Sequence, residues 1–229
     1  MESLSIIIPC YNEARTIRQL LQKVFDVPIP GWRKEIIIVD DASRDNTREI
    51  LREYENRATI LSQEKNSGKG SAVKRGLEAA TGTYVLIQDA DLEYEPADIP
   101  KLLSAIGEAK VVYGSRNLRP RERKGAWIPR LGVWFLTKLI NVLWGLELTD
   151  VWTCYKLFPR EASDDFVAGR FESELLFTAS LARRGYKFAE VPISYHPREA
   201  IEGKKIRNLD GIKAIIVLIH DRLTHLFHA

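Results

Sequence analysis

The sequence predicts an α/β fold built on a Rossmann-like, mostly parallel central sheet with helices on both faces. Two observations predict it. Short apolar or β-branched runs at 4–8, 36–39, 59–62, 84–87 and 111–113 are separated by stretches of helical periodicity, the alternation expected of strand-helix-strand crossovers. These runs are apolar nearly throughout rather than alternating with polar residues, as strands buried on both faces are. With 229 residues, 45% of them hydrophobic and 28% charged, the chain can bury one sizeable core, so a single domain over 1–229 is expected.

The elements follow in order. The first run lies in Met1-Glu2-Ser3-Leu4-Ser5-Ile6-Ile7-Ile8-Pro9, which has no basic segment ahead of it. Its apolar stretch is too short for a signal peptide, so it reads as a strand. Ile17, Leu20, Leu21 and Val24 share one face of a helix that Pro28 and Pro30 end. Ser43-Arg44-Asp45-Asn46 offers a cap to a helix over 47–54, and 69–80 forms another that stops at Gly82.

The pattern changes after Gly114. Residues 115–130 carry Arg116, Arg119, Arg121, Arg123, Lys124 and Arg130 with two prolines, and predict a basic loop. The helix predicted over 131–146 sets Trp134, Phe135, Leu136, Leu139, Ile140, Leu143 and Trp144 on a broad apolar face. Arg130, Thr137, Lys138 and Asn141 leave only a narrow polar stripe. Such a helix is either buried core or an interfacial membrane helix, the second favoured by its tryptophans and its basic entry. Residues 172–182 predict an amphipathic helix ending at Arg183-Arg184-Gly185, and 191–195 a strand. A C-terminal amphipathic helix over 210–227 places Ile212, Ile215, Ile216, Ile219, Leu223 and Leu226 on one face.

Composition narrows the function. A net charge of +3 is too mild to demand nucleic acid. Two cysteines, Cys10 and Cys154, make no disulfide framework and show no metal-ligand spacing, which points to a reducing compartment. No segment reaches the roughly 18 to 20 apolar residues that span a bilayer. His220, His225 and His228 read as solvated, and Cys10 as a packing residue.

The most informative stretch is Gln88-Asp89-Ala90-Asp91-Leu92-Glu93, which follows the apolar run Tyr84-Val85-Leu86-Ile87. Two carboxylates at i and i+2 after a buried parallel strand stand at the sheet edge where open α/β folds bind ligands. Hard oxygen donors suit Mg²⁺ or Mn²⁺, ions that usually share their coordination with substrate phosphates. Three further pieces sit at strand ends on that edge: Pro9-Cys10-Tyr11-Asn12-Glu13, Val39-Asp40-Asp41-Ala42-Ser43 and Asn66-Ser67-Gly68-Lys69-Gly70. Neither common nucleotide signature fits. Gly68-Lys69-Gly70-Ser71 lacks Ser or Thr directly after the lysine, and a dinucleotide fingerprint from Gly68 would need Gly or Ala at Val73.

In their order and spacing these motifs resemble the inverting glycosyltransferases of family 2 with the GT-A fold, and within them the polyprenyl-phosphate sugar transferases of the dolichol-phosphate mannosyltransferase type. The likeness extends through Gly114-Ser115-Arg116, Thr149-Asp150, Tyr155-Lys156-Leu157-Phe158, Glu190-Val191-Pro192-Ile193, Arg198 and Glu202-Gly203-Lys204. It implies a nucleotide-sugar half over 1–114 and an acceptor half over 115–229. Pro9, Tyr11, Asn12, Glu13, Val39 and Asp41 would hold the nucleoside, with Lys69 also at the donor. Asp89, Ala90 and Asp91 would meet the diphosphate, with both aspartates on Mg²⁺ or Mn²⁺ and Glu93 as a third ligand. Arg116, Arg198 and Lys204 match basic positions at donor or acceptor phosphates.

The implied reaction moves mannose or glucose from GDP-mannose or UDP-glucose to polyprenyl phosphate, making a lipid-linked sugar at the cytoplasmic face of a membrane. The chain would associate with the membrane peripherally, through its amphipathic helices or a small membrane subunit. A lipid phosphate is already an anion and needs only cations to place it, whereas a sugar hydroxyl needs a general base. Arg130, at the head of the Trp-rich helix, is the added candidate for the acceptor phosphate. Asp150, Glu172 and Glu174 are the candidates for a base. The alternatives are a soluble family 2 enzyme acting on a sugar hydroxyl of a glycan or glycolipid, and a non-catalytic nucleotide-binding subunit.

Overall fold

A computed structural model describes residues 2–118, 127–169, 172–197 and 208–226, with only the backbone described for 127–130, 208–213 and 226. Seven strands among them form one sheet: β1 (Glu2–Cys10), β2 (Trp32–Asp40), β3 (Thr59–Ser62), β4 (Tyr84–Ile87), β5 (Val111–Ser115), β6 (Lys156–Pro159) and β7 (Phe188–Pro192). Their spatial order is β3-β2-β1-β4-β6-β5-β7. The pairs β3-β2-β1-β4 and β5-β7 are parallel, and β6 alone runs antiparallel to both of its neighbours. Inserting one reversed strand leaves β4 and β5 pointing the same way. The loops after β1, β2, β3, β4 and β5 therefore open on one edge.

The helices are α1 (Ile17–Asp26), α2 (Thr47–Arg52), α3 (Lys69–Ala79), α4 (Ile99–Ser104), α5 (Trp127–Trp144), α6 (Glu172–Arg183) and α7 (Asn208–Leu226). Side chains leave successive strand positions on opposite faces, so the sheet splits the core in two. Ile6 and Ile8 join a cluster with Leu20, Leu21 and Val24 of α1, Leu51 of α2 and Leu102 of α4. Ile7, Ile37 and Val39 join another with Val73 of α3, Ile140 of α5, Phe177 of α6 and Leu218 of α7. Helix α3 lies very close to the sheet, because a Cβ at Gly76 would stand 2.5 Å from Ile7 Cγ2.

Several expectations are adjusted. The Trp-rich helix begins at Trp127, ahead of the expected 131, so the basic loop is shorter than 115–130. Pro129 is tolerated there because first-turn amides have no intrahelical acceptor. The strand placed at 191–195 is Phe188–Pro192. Helix α4 and strand β6 were not expected as elements: one is six residues long with a proline, the other four with a lysine and a proline. Among the described residues no helix is long and apolar enough to cross a membrane.

Candidate active site

The edge after β1 and β2 is held in unusual backbone shapes. Asn12 (φ 55°) and Ala42 (φ 58°) both adopt the left-handed conformation, which non-glycine residues rarely take without surrounding constraint and which gathers at functional sites. The constraint is visible. The Asn12 amide donates to Ser43 Oγ at 2.9 Å and the Arg44 amide to Asn12 Oδ1 at 2.8 Å. Glu13 is buried, and its amide donates to Thr47 Oγ1 while its carboxylate accepts from Thr16 Oγ1, both at 2.8 Å. The two loops are thus tied into one unit.

Asp41 serves the third loop. Its carboxylate accepts from Gln63 Nε2 (3.0 Å) and from the amides of Ser67 (2.8 Å) and Gly68 (2.9 Å). Gly68 has a φ of 94°, a region where glycine meets no Cβ penalty, and this turn starts α3. Asp41 therefore fixes where Lys69, the first residue of α3, projects.

Lys69 reaches the acidic loop after β4. Its Nζ lies 2.5 Å from Asp89 Oδ1 and 2.9 Å from Glu174 Oε1. Burial alone would lower its pKa, but the carboxylates of Asp89 and Glu174 outweigh burial and hold the ammonium above the ordinary lysine value. The acidic loop itself is fixed from beneath. Gln88 is fully buried, takes a 2.7 Å hydrogen bond from the Tyr155 hydroxyl and donates through Nε2 to the Asp89 carbonyl. Asp91 Oδ1 accepts the Glu93 amide at 3.2 Å. Burial pushes the nearby Cys154 thiol well up, which keeps it protonated.

Glu93, the expected third ligand, faces Tyr195. Glu93 Oε2 accepts the Tyr195 hydroxyl at 2.9 Å, and no group of three His, Cys, Asp or Glu among the described residues comes together as a metal site. Asp89 and Asp91, with Glu93 two residues on, are hard-oxygen side chains of the kind that would fit an ion sharing a diphosphate. The ammonium resting on Asp89 marks the spot as one that attracts a cation.

Arg116, just past β5, makes a fork to Asp150 with Nε to Oδ2 and Nη2 to Oδ1, both 2.7 Å, and its amide donates to Oδ2 at 3.0 Å. Its guanidinium also lies 5.1 Å over the Tyr195 ring. Asp150 is fully buried, and Glu190 accepts the Thr149 and Asp150 amides at 2.7 and 3.0 Å. Burial raises the Glu190 pKa above the ordinary carboxylate value.

Two of the base candidates are thereby committed elsewhere, Asp150 to Arg116 and Glu174 to Lys69 and Lys156. Glu172 stands half-buried at the start of α6. Arg198 and Lys204 lie outside the described residues, as do Arg119, Arg121, Arg123 and Lys124, and the Arg130 side chain is not described. Gln88, Tyr155, Tyr195 and Glu190 hold the site together, yet none was foreseen in that role. Their partners are distant in sequence, and only the strand order brings them near.

On the other side of the acceptor half, α5 is divided. Leu136 and Ile140 are buried, while Leu131, Trp134, Phe135 and Val142 are 57%, 56%, 49% and 82% exposed. Trp144 packs against the core. Helix α7 likewise exposes Ile216, Ile219 and Leu223.

Residues 5–167 match the family described as Glycosyl transferase family 2. The undecaprenyl-phosphate 4-deoxy-4-formamido-L-arabinose transferase of Edwardsiella ictaluri is 28% identical over 98% of this chain, which spans 68% of that protein. The glycosyltransferase AglJ of Haloferax volcanii is 30% identical over 93% of the chain and 68% of its own length. The dolichol-phosphate mannosyltransferase of Pyrococcus furiosus is 36% identical over 51% of the chain and 34% of its own length. In fold, the chain is similar to glucosyl-3-phosphoglycerate synthase of Mycobacterium tuberculosis, solved with Mn²⁺, UDP and glucosyl-3-phosphoglycerate. That match has a TM-score of 0.68 at 21% identity and covers 88% of this chain and 74% of that one. A family match over most of the chain, on a sheet of GT-A type, identifies this protein as a glycosyltransferase belonging to family 2.

Proposed function

We propose that this glycosyltransferase moves a hexose, mannose or glucose, with inversion from a nucleotide-sugar donor to a polyprenyl phosphate at the cytoplasmic face of a membrane. One observation supports the choice of acceptor: two of the three candidate bases, Asp150 and Glu174, are neutralised by Arg116 and by two lysines. A hydroxyl acceptor must lose a proton as it attacks, and a carboxylate locked between cations is a poor base. A phosphate ester attacks as the anion it already is. Two relatives whose names carry undecaprenyl phosphate and dolichol phosphate agree with that chemistry.

The donor's nucleoside would lie against the unit formed by Tyr11, Asn12, Glu13 and the 41–43 loop, with Pro9 and Val39 beneath. Asp89 and Asp91 would hold Mg²⁺ or Mn²⁺ beside Ala90. The ion would supply electrostatic stabilisation of the diphosphate leaving group as the anomeric C–O bond breaks. Lys69 orders Asp89. Arg116, Arg198 and Lys204 are the cations assigned to donor and acceptor phosphates, with Arg130 for the acceptor. The exposed face of α5 supports peripheral association, since Trp134 and Phe135 would lie along the isoprenoid or the lipid interface. A small membrane subunit would be a further means of anchoring.

The test is a donor screen. Radiolabelled GDP-mannose and UDP-glucose are offered with Mn²⁺ and a short polyprenyl phosphate, and label passing into organic solvent is counted. Transfer from one donor is expected. Transfer only to a water-soluble sugar acceptor would overturn the lipid-phosphate assignment.

A further inference from the structure

The proposed reaction gives no part to the two buried charges behind Lys69, those of Glu174 and Lys156. Lys69 Nζ stands between Asp89 Oδ1 at 2.5 Å and Glu174 Oε1 at 2.9 Å. The other oxygen of Glu174 is 3.2 Å from Lys156 Nζ. Lys156 is fully buried, donates to the carbonyls of Val151 and Thr153, and lies 4.9 Å over the Tyr113 ring. Four charges of alternating sign therefore run from the solvent edge into the core, two positive and two negative. The exposure of the four side chains falls along the row, from 16% at Asp89 and 13% at Lys69 to 7% at Glu174 and none at Lys156.

We propose that Glu174 is a positioning residue for the transfer reaction: it shares the Lys69 ammonium with Asp89 and so leaves that carboxylate able to accept a divalent cation, while Lys156 fixes Glu174 in place. This rests on the reading of Asp89 and Asp91 as the ion's ligands. An ammonium placed between two carboxylates divides its attraction between them. When one carboxylate turns to an incoming ion, the other retains the ammonium within hydrogen-bond reach. Replacing Glu174 by a neutral amide concentrates the Lys69 charge on Asp89, and an incoming divalent ion must then compete with it.

Lys156 supplies the permanence. With Tyr113 beneath it and two backbone carbonyls around it, it cannot follow Glu174 outward, so Glu174 stays where Lys69 needs it. The same pairing explains why a carboxylate so close to the site is not a general base.

The experiment measures Mn²⁺ binding directly, from the electron paramagnetic resonance signal of the free ion, with the full chain and UDP or GDP present. Glu174→Gln should weaken Mn²⁺ binding about tenfold to 100-fold, the usual cost of losing a partner behind a metal ligand. That variant also leaves Lys156 buried without its carboxylate and threatens the fold. The titration is therefore repeated on the double variant Glu174→Gln, Lys156→Met, in which the remaining pair is neutral, with circular dichroism to check folding. Weakened Mn²⁺ binding in the folded double variant is the expected result, because a merely structural role would be rescued there. Wild-type affinity in a folded variant would overturn the positioning role while leaving the metal reading intact. Wild-type protein that binds no Mn²⁺ with either nucleotide would overturn the metal reading and this inference together.

Discussion

Asp150 and Arg116 show how a buried pair can be both scaffold and site. The guanidinium fork to a fully buried carboxylate satisfies both partners, and removing one charge of such a pair costs far more than the pair itself contributes. Asp150→Asn should therefore destabilise the protein by about 3 kcal/mol, read as a fall in Tm. It should also raise the KM for the phosphate-bearing substrates, because Arg116, the cation assigned to their phosphates, loses its anchor. An unchanged Tm and KM would count against the pair. At this scale the sequence was partly legible. Asp89 and Asp91 announce themselves by following a buried strand, but Asp150 and Glu174 read as candidate bases because nothing local reveals the lysines and arginine that neutralise them.

Helix α5 is apolar on both a buried and an exposed face, which is why its sequence left core and interface both open. Ile140 is fully buried against α6 and α7, whereas Trp134 and Phe135 face outward. Ile140→Ala should cost about 2 to 5 kcal/mol through the cavity it leaves. Replacing Trp134 and Phe135 with serine should leave Tm nearly unchanged and weaken sedimentation with polyprenyl-phosphate liposomes. If the serine variant unfolds instead, the interfacial assignment fails.

A second element-level device lies at the opposite end of the sheet from the site. Glu35 in β2 accepts hydrogen bonds from the Ser5 hydroxyl of β1, the Thr81 amide at 2.9 Å and the Thr81 hydroxyl at 2.8 Å. Burial pushes this carboxyl up, but those hydrogen bonds outweigh it and hold the pKa below its ordinary 4.5. A depressed folded-state pKa adds stability above the unfolded value, and that stability is lost as pH falls toward the folded one. Glu35→Gln should thus lower stability at neutral pH and flatten its decline below about pH 4.5 in acid unfolding curves. A variant with the wild-type acid profile would contradict this.

Over the whole molecule, what could be read ahead was whatever the parallel sheet imposes. Strands β1, β2, β4 and β5 are buried and apolar, so their runs stand out, and a parallel arrangement then fixes which loops share an edge. Strand β6 escaped because it is short, reversed and built around Lys156, a charge that only a partner on α6 makes tolerable. The Lys69, Glu174 and Lys156 row escaped for the same reason: each charge is unremarkable alone, and burial brings them together.

The central claim is that the aspartates after β4 hold a divalent ion against the donor's diphosphate during transfer to a lipid phosphate. It is tested most directly by measuring label transfer to polyprenyl phosphate for wild type and Asp91→Asn across a Mn²⁺ titration, with EDTA as the metal-free point. The account predicts Mn²⁺-dependent transfer by wild type, none in EDTA, and a loss of at least about 100-fold in the folded variant. Undiminished transfer by Asp91→Asn, or by wild type in EDTA, would contradict it.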